Sequence, residues 1–227
     1  MKTLKRKLIV LFVLILGSLE AFPALAEKKD LEGIIASIQE RYRTIKSIEA
    51  DFVQKNFIAA LGQFREFRGK IFLQKPHLFD LEVSFPSQQR QTFDGRFVWI
   101  YTSANNQVLK NPVAPDFFNH PLINLITTMA DLKKNFFISL GETKTAQDYS
   151  LKLTLKTPKT GFREILISGG KNNFQIRELT VYYDSGNYTR LALTNIKENP
   201  NISPDHFQFI PLPGVEIVET PAPPMQP

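Results

Sequence analysis

Residues 69 to 85 read GKIFLQKPHLFDLEVSF. Two apolar runs flank a break that holds one lysine, one proline and one histidine. In the second run every other residue is apolar: Phe79, Leu81, Val83 and Phe85. An alternation of period two is typical of an antiparallel strand with one buried face. The stretch therefore predicts two half-buried antiparallel strands on either side of the break.

The same alternation recurs in the second half of the chain. Residues 151–155 read LKLTL and residues 179–183 read LTVYY. Turn-forming residues at 94–95 and 184–187 lie between such runs at a spacing typical of hairpins. We therefore predict a mainly β fold with helices, an α+β protein whose large antiparallel sheet curls into an incomplete barrel.

Two helices are predicted beside this sheet. Apolar residues recur at intervals of three and four over residues 31–48, with Asp30 as a possible N-cap. Pro121 suits the first position of a second, shorter helix. The apolar face of that helix would comprise Leu122, Leu125, Ile126, Met129 and Leu132. We expect the helices to lie as a lid over an apolar concave face of the sheet.

The first 26 residues have the composition of a signal peptide. Four cations precede the apolar run at residues 8–16, and Ala24-Leu25-Ala26 offers a small-residue cleavage site. That apolar run is about half the length that a membrane-spanning helix needs. We predict export with cleavage after Ala26, a single domain over residues 27–218, and a disordered proline-rich tail over residues 219–227.

Charge and cysteine content narrow the possible function classes. Residues 1–26 carry four of the 28 basic and one of the 22 acidic side chains, so the remainder has a net charge of only +3. No dense block of Lys and Arg is left to follow a phosphate backbone, and we expect no nucleic-acid partner. The chain has no cysteine, which excludes disulfides, thiolate metal sites and a lipid-modified cysteine.

Candidate catalytic groups are few. His77, His120 and His206 lie far apart, each next to or near a proline and without metal-ligand spacing. The sequence lacks the serine-hydrolase elbow, the dinucleotide-binding glycine pattern and the phosphate-binding loop. We therefore expect no enzyme, no metal and no cofactor, and we assign the three histidines to turns and loops.

Phenylalanine dominates the aromatic residues, with 19 Phe beside six Tyr and one Trp. Its side chain has no polar group, so it belongs where nothing must be hydrogen-bonded. A curled sheet with bulky apolar side chains on its inner face holds either a filled core or a cavity for a hydrophobic ligand. Periodicity does not separate these two alternatives.

Four motifs, taken in order, resemble one known family. They are SIEADFVQ at residues 47–54, GKIFLQKPHLF at 69–79, DGRFVWIY at 94–101 and FQFIPLPGVE at 207–216. Over residues 30–218 they are similar to the periplasmic outer-membrane lipoprotein carrier family, LolA-like. Their order and spacing, together with a signal peptide and no lipid-anchor cysteine, make the resemblance specific.

The resemblance implies a monomeric periplasmic carrier. Its apolar interior would accept the acyl chains of lipoproteins released by an inner-membrane ABC transporter and deliver them to an outer-membrane receptor. Burial of each methylene contributes about 0.8 kcal/mol, so an acylated lipoprotein does not cross water unaided at a useful rate. Two alternatives stay open: a carrier for another hydrophobic lipid, and a lipid- or lipoprotein-sensing domain in envelope stress signalling.

The resemblance and the strand alternation together predict the residues that line the cavity. The strand residues are Phe52, Phe67, Ile71, Leu73, Phe79, Leu81, Val83, Phe93 and Trp99. The lid residues are Ile34, Ile38, Leu122, Ile126 and Met129. For each of them, and above all for the helix residues, ordinary core packing is the alternative.

Lys75 and Pro76 are predicted at the mouth of the cavity. The family typically has an arginine at the position of Lys75, where it holds the closed lid by hydrogen bonds. Lysine keeps the charge but loses the planar set of five donors. We expect Lys75 to hold the lid less firmly than an arginine would, and a solvated lysine at a strand end is the alternative.

Overall fold

A computed structural model describes residues 22–113, 129, 132–157, 161–211 and 213–220 of the chain. Its main element is one sheet of 12 strands. The first six are β1 (Ser47–Ile58), β2 (Gln63–Gln74), β3 (Leu78–Phe85), β4 (Gln89–Phe93), β5 (Phe97–Thr102) and β6 (Gln107–Pro112). The second six are β7 (Phe136–Leu140), β8 (Asp148–Leu155), β9 (Phe162–Gly170), β10 (Ile176–Tyr183), β11 (Tyr188–Glu198) and β12 (Glu216–Glu219).

The sheet consists of two meanders. Strands β1 to β6 pair in sequence order, β7 to β11 do the same, and the pairing of β1 with β11 joins the two halves. β12 adds to β6 as a parallel strand at one edge, and β7 forms the other edge. The sheet is therefore open, and the predicted α+β fold with a large unclosed sheet is confirmed.

Helix α1 spans Phe22–Thr44, and α2 is a single turn at Leu132–Asn135. The prediction that Asp30 caps the N-terminal helix is wrong, because residues 24–29, ALAEKK, have high helix propensity and α1 begins before them. Ile48, the last residue of the predicted apolar helix pattern, lies in β1 instead. In the described ranges no helix has the length and hydropathy that crossing a bilayer requires.

The main hydrophobic core lies between α1 and strands β7 to β10. From α1 it includes Ile34, Ile35, Ile38, Tyr42 and Ile45. From the strands it includes Phe136, Leu151, Leu153, Leu155, Phe162, Ile165, Ile167, Ile176 and Val181. The apolar pattern of the helix thus places α1 on this half of the sheet. We call the side of the sheet on which α1 packs the helix-covered face.

The predicted strands of residues 69–85 are present and pair with each other, with Leu73 opposite Phe79. The register shifts next to Gly69, where a β-bulge brings the two backbones together. A Cβ atom at Gly69 would lie 1.8 Å from the carbonyl oxygen of Glu82. A glycine is therefore required at this close approach.

A C-terminal strap, residues 203–211, packs on the opposite face of the sheet. Phe207 is buried there, and Phe209 stacks on Trp99 with ring centroids 5.5 Å apart. His206 packs against Phe72 of β2, with 4.2 Å between the ring centroids. The strap therefore forms a second, smaller apolar layer, which the sheet separates from the core under α1.

Candidate functional site

Strand register places a continuous set of apolar side chains on the helix-covered face of β1 to β6. Residues directly opposite each other in antiparallel strands point to the same face. One row across the sheet comprises Ile48, Leu73, Phe79, Phe93 and Val98. The next row comprises Ala50, Ile71, Leu81, Gln91, Ile100 and Leu109. We call the apolar members of these rows, with Phe52 and Val83 of the third row, the apolar strip.

The apolar strip lies beside the main core, against which Ile48 packs at the near end of the strip. Its most buried large side chains are Phe52, Val83 and Phe93, and the core cluster beneath α1 does not include them. Most other members of the strip are only partly buried. A partly exposed apolar surface that continues over six strands is the kind of surface that takes a hydrophobic ligand.

Eight of the nine strand residues predicted to line a cavity share this face. Trp99 is the exception, and its assignment to the cavity is wrong. It lies opposite Thr92 on the other face, stacks on Phe209 of the strap and donates from Nε1 to Asp94 Oδ2 at 2.7 Å. β5 reads FVWIYT, which is apolar on both faces, so alternation alone does not tell which of its residues face α1.

Sequence reasoning also missed members of this face. They are Val98, Ile100, Leu109, Leu191 and Leu193. A usable signal was the turn at residues 94–95, where Asp94 N–H donates to Phe97 O at 3.3 Å. This short connection sets Phe93 opposite Val98 and so places Val98, rather than Trp99, beside the other strip residues.

Three of the predicted lid residues are core residues in this structure. Ile34 and Ile38 of α1 and Met129 are buried together with side chains of β7 to β10. Leu122 and Ile126 lie outside the described residues. The described part of the predicted lid therefore packs on one half of the sheet and borders the apolar strip on the other half.

A small cavity lies where the last turn of α1 meets the strip. It has a volume of about 20 Å³, and its apolar walls come from Tyr42, Ile45, Ile48, Leu73 and Leu78. This volume is enough for about one water molecule. The end of the strip next to α1 is therefore nearly closed, with Lys75 and Pro76 at its margin.

Lys75 connects the β2–β3 turn to α1. Its Nζ donates a hydrogen bond to the carbonyl oxygen of Tyr42, and its backbone N–H donates to Lys46 O at 2.8 Å. The Tyr42 carbonyl lies in the last turn of α1, where backbone acceptors lack a partner within the helix and attract cations. Burial lowers the pKa of Lys75 below its ordinary value. The exposed Pro76 follows at the turn.

Further polar contacts fix the end of α1 to the strands. The hydroxyl of Tyr42 accepts a hydrogen bond from Ile176 N–H at 3.1 Å, and burial raises the pKa of Tyr42. Arg41 Nε lies 3.0 Å from Glu198 Oε1, to which Gln175 Nε2 also donates at 3.1 Å. Arg41 and Glu198 are 157 positions apart, so no local sequence signal indicates this pair.

An ionic cluster lies on the opposite face, beneath the strap. The buried Asp80 carboxylate accepts from Thr92 Oγ1 at 2.5 Å and pairs with Arg90 Nε at 3.0 Å. His206 Nε2 lies 3.0 Å from Asp80 Oδ2 without the alignment of a hydrogen bond. Asp80, Glu82 and His206 have potential metal-ligand atoms within 4.8 Å of one another. Because Arg90 already neutralises Asp80, we interpret the cluster as an attachment of the strap to the sheet.

Comparison with solved structures agrees with the fold. The crystal structure of an uncharacterized conserved protein from Thermus thermophilus matches with a TM-score of 0.53 and 13% sequence identity. The match covers 84% of this chain and 99% of that protein. At this identity the likeness concerns the fold alone.

Comparison of sequences identifies the family. An outer-membrane lipoprotein carrier protein of Methylococcus capsulatus is 29% identical over 174 residues, which cover 77% of this chain and 82% of that protein. One of Coxiella burnetii is 25% identical over 200 residues, which cover 83% of this chain and 92% of that protein. The family model described as outer membrane lipoprotein carrier protein LolA matches residues 43–210, a span that includes the apolar strip and most of the strap. The chain therefore belongs to the LolA family of outer membrane lipoprotein carrier proteins.

Proposed function

We propose that this protein is a periplasmic carrier that binds the acyl chains of lipoproteins and delivers them to the outer membrane. The observation that carries the proposal is the apolar strip. Its partly exposed side chains continue across β1 to β6 beside the core, where they are available to a ligand. Family membership supports the same function.

The strip suits acyl chains because it offers a large apolar surface and few hydrogen-bonding groups. Each methylene that leaves water contributes about 0.8 kcal/mol, so one long acyl chain gains enough from such a surface to stay bound. The same magnitude makes release difficult when several chains are buried completely. We infer that the carrier covers its cargo only in part, or that loading breaks contacts within the protein.

The contact between Lys75 and Tyr42 is a candidate for the contact that loading breaks. An acyl chain that extends into the small cavity beside Tyr42, Ile45 and Leu73 displaces the last turn of α1. The Lys75 hydrogen bond opposes that displacement, so it weakens binding and favours release. We propose this as the latch role of Lys75, with α1 as the element that it holds.

The donor in this scheme is an inner-membrane ABC transporter, and the acceptor is an outer-membrane lipoprotein receptor. Residues 1–26 would direct export before their removal, the domain of residues 27–218 would act as a monomer in the periplasm, and residues 219–227 would remain a disordered tail. Nothing in the scheme requires catalysis, a metal or a cofactor.

The test is a release assay with purified protein. Inner-membrane vesicles that hold a labelled lipoprotein are incubated with ATP and the protein, and label is followed in the supernatant after sedimentation. We expect ATP-dependent appearance of label in a complex with this chain. The variant Phe79→Glu, with its substitution in the middle of the strip, should bring much less label into the supernatant.

A failure of release has a clear meaning when a known carrier releases label from the same vesicles. In that case this chain is not a lipoprotein carrier for that transporter. Extraction and mass spectrometry of lipids that copurify with the protein would then decide between a carrier of another hydrophobic lipid and a protein without lipid cargo.

A further inference from the structure

The polarity of the helix-covered face changes along the strands. On β1, Ile48, Ala50 and Phe52 are followed on the same face by Gln54 and Asn56. The change from a phenylalanine to an amide takes place over one step of the alternation, about 7 Å. On β1 the apolar strip therefore ends after Phe52, on the side of the β1–β2 hairpin.

The neighbouring strands change in the same direction, although β2 does so one step later than β1, because Phe67 lies opposite Gln54. On β2, Arg65 lies opposite Asn56, and on β4 the apolar Phe93 is followed on its face by Gln91 and Gln89. Across the sheet, Gln89 is opposite Thr102, which is opposite Gln107. We call the polar side chains at this end the polar rim: Gln54, Asn56, Arg65, Gln89, Thr102 and Gln107.

The polar rim differs from an ordinary solvated edge. Its members other than Arg65 are partly buried, and Gln54 Nε2 donates to Asn56 Oδ1 at 3.0 Å. Arg65, opposite Asn56, is exposed. Amide and guanidinium groups in this arrangement offer several N–H donors close to an apolar surface.

From this arrangement we propose that the polar rim binds the ester and amide carbonyl groups at the head of the acyl chains. The chains would then lie along the apolar strip with their tails towards Lys75. The proposal rests on the proposed function and adds an orientation to it. Carbonyl groups that leave water need hydrogen-bond donors, and the rim supplies them where the first two rows supply almost none.

The other end of the strip is unsuited to the head of the cargo. The Lys75 ammonium already donates to the Tyr42 carbonyl, and the cavity beside it holds about 20 Å³. Eight residues separate Ile48 from Asn56 on β1, so the two ends lie about 26 Å apart. The two ends are thus far enough apart for head and tail contacts to be distinguished.

The orientation is tested by photo-crosslinking. The purified chain is loaded with a synthetic tripalmitoyl-cysteine lipopeptide that carries a diazirine either at the end of an acyl chain or on the residue after the cysteine. Peptide mapping by mass spectrometry locates the label. We expect the tail probe to label residues around Leu73 and Phe79, and the head probe to label residues 54–65. The reverse pattern, or the same pattern from both probes, would overturn the proposal.

The hydrogen bonds are tested with an ether analogue of the lipopeptide, which lacks the ester carbonyls. We expect the protein to bind the diester about threefold to tenfold more tightly than the diether. The double variant Gln54→Leu with Arg65→Met should lose this preference. Lys55→Met is the matched control, because Lys55 lies on the opposite face of the same strand, and it should keep the preference.

The outcomes separate the two proposals. Equal binding of diester and diether by the unmodified protein overturns the polar rim and leaves the carrier function standing. Binding of neither overturns both. A diacyl phosphatidylglycerol, which has the same esters, distinguishes a lipoprotein cargo from a phospholipid cargo. An affinity equal to that for the lipopeptide supports the polar rim and contradicts a carrier that is specific for lipoproteins.

Discussion

Phe79 lies in the first row of the apolar strip, where its ring stacks on Phe93 with centroids 5.9 Å apart. It is only partly buried, so the fold should tolerate a polar side chain there. A carboxylate at this position would be desolvated whenever an acyl chain covered it. We expect Phe79→Glu to weaken the binding of a fluorescent fatty-acid probe at least tenfold, with the circular dichroism spectrum unchanged.

The matched control is Phe137→Glu. Phe137 is 64% exposed on the opposite face of β7, so its replacement should leave both the fold and the probe affinity unchanged. Unfolding of Phe79→Glu alone would show that Phe79 is a core residue. An equal loss of probe binding in both variants would show that added charge, rather than the strip, explains the effect.

Lys75 offers a second test at the level of one residue. Lys75→Leu removes the hydrogen bond to the Tyr42 carbonyl, which should let the last turn of α1 move more easily. We expect amide hydrogen exchange around residues 42–46 to become faster, and the affinity for the fatty-acid probe to rise by up to about tenfold. Lys75→Arg should lower the affinity instead, because the guanidinium group can donate more hydrogen bonds than the ammonium group. Unchanged affinity in both variants would contradict the latch role.

Burial of Lys75 also has a consequence for stability at high pH. Since burial lowers the pKa of Lys75 below 10.5, the folded chain releases this proton at a lower pH than the unfolded chain does. The unfolded state then binds more protons just below that pH, so the contribution of Lys75 to the free energy of unfolding rises with pH. Urea unfolding is measured for the unmodified protein and for Lys75→Arg, whose guanidinium does not titrate in this range. From about pH 7 to about pH 10, the free energy of unfolding of the unmodified protein should rise relative to that of Lys75→Arg.

A difference between the two proteins that stays constant over this range would contradict a lowered pKa for Lys75. The comparison with Lys75→Arg is needed because Tyr42 and Tyr149 also change the free energy of unfolding with pH, in the opposite direction to Lys75. Burial raises the pKa of both tyrosines, so their contribution falls as the pH rises, and it is the same in both proteins.

Among the elements, the strap and α1 lie on opposite faces of the sheet and should act independently. Phe209→Ala removes the stacking on Trp99 and should lower the free energy of unfolding by about 2 kcal/mol. Its affinity for the fatty-acid probe should stay within about twofold of the unmodified protein. Leu81→Ala on the helix-covered face should weaken probe binding. Loss of probe binding in Phe209→Ala would contradict the assignment of the two faces.

The elements also show how far the sequence alone predicts this protein. Strict alternation in residues 78–85 predicts β3 and its face, because only one face of this strand is apolar. β5 is apolar on both faces, so its sequence does not show that Trp99 faces the strap, and only the pairing of Phe93 with Val98 does. Asp30 does not mark the start of α1, because residues on both sides of it favour a helix.

The contacts that hold α1 could not be predicted from local patterns. Tyr42 and Ile176 are 134 positions apart, and their hydrogen bond exists only once β10 lies under the helix. The same holds for Arg41 and Glu198. The proposed role of Lys75 rests on the family resemblance, and the hydrogen bond from its Nζ to the Tyr42 carbonyl supports it.

At the scale of the whole molecule, the two halves of the sheet differ on the helix-covered face. The half formed by β7 to β10 packs under α1 as the core, and the half formed by β1 to β6 presents the apolar strip. Because most of the strip lies outside the core cluster, we expect the fold to stay intact whether or not the strip is covered by a ligand. This separation is what a carrier requires, since it must be stable both with and without its cargo.

The most direct test of this account is to locate a bound lipoprotein on the two faces of one strand. A photoreactive amino acid is placed either at Ile71, on the helix-covered face of β2, or at the adjacent Lys70, on the opposite face. The protein is loaded with a triacylated lipoprotein and irradiated, and crosslinks are detected by immunoblot. The account predicts a crosslink from position 71 and none from position 70. Equal crosslinking from both positions, or a crosslink from position 70 alone, would contradict it.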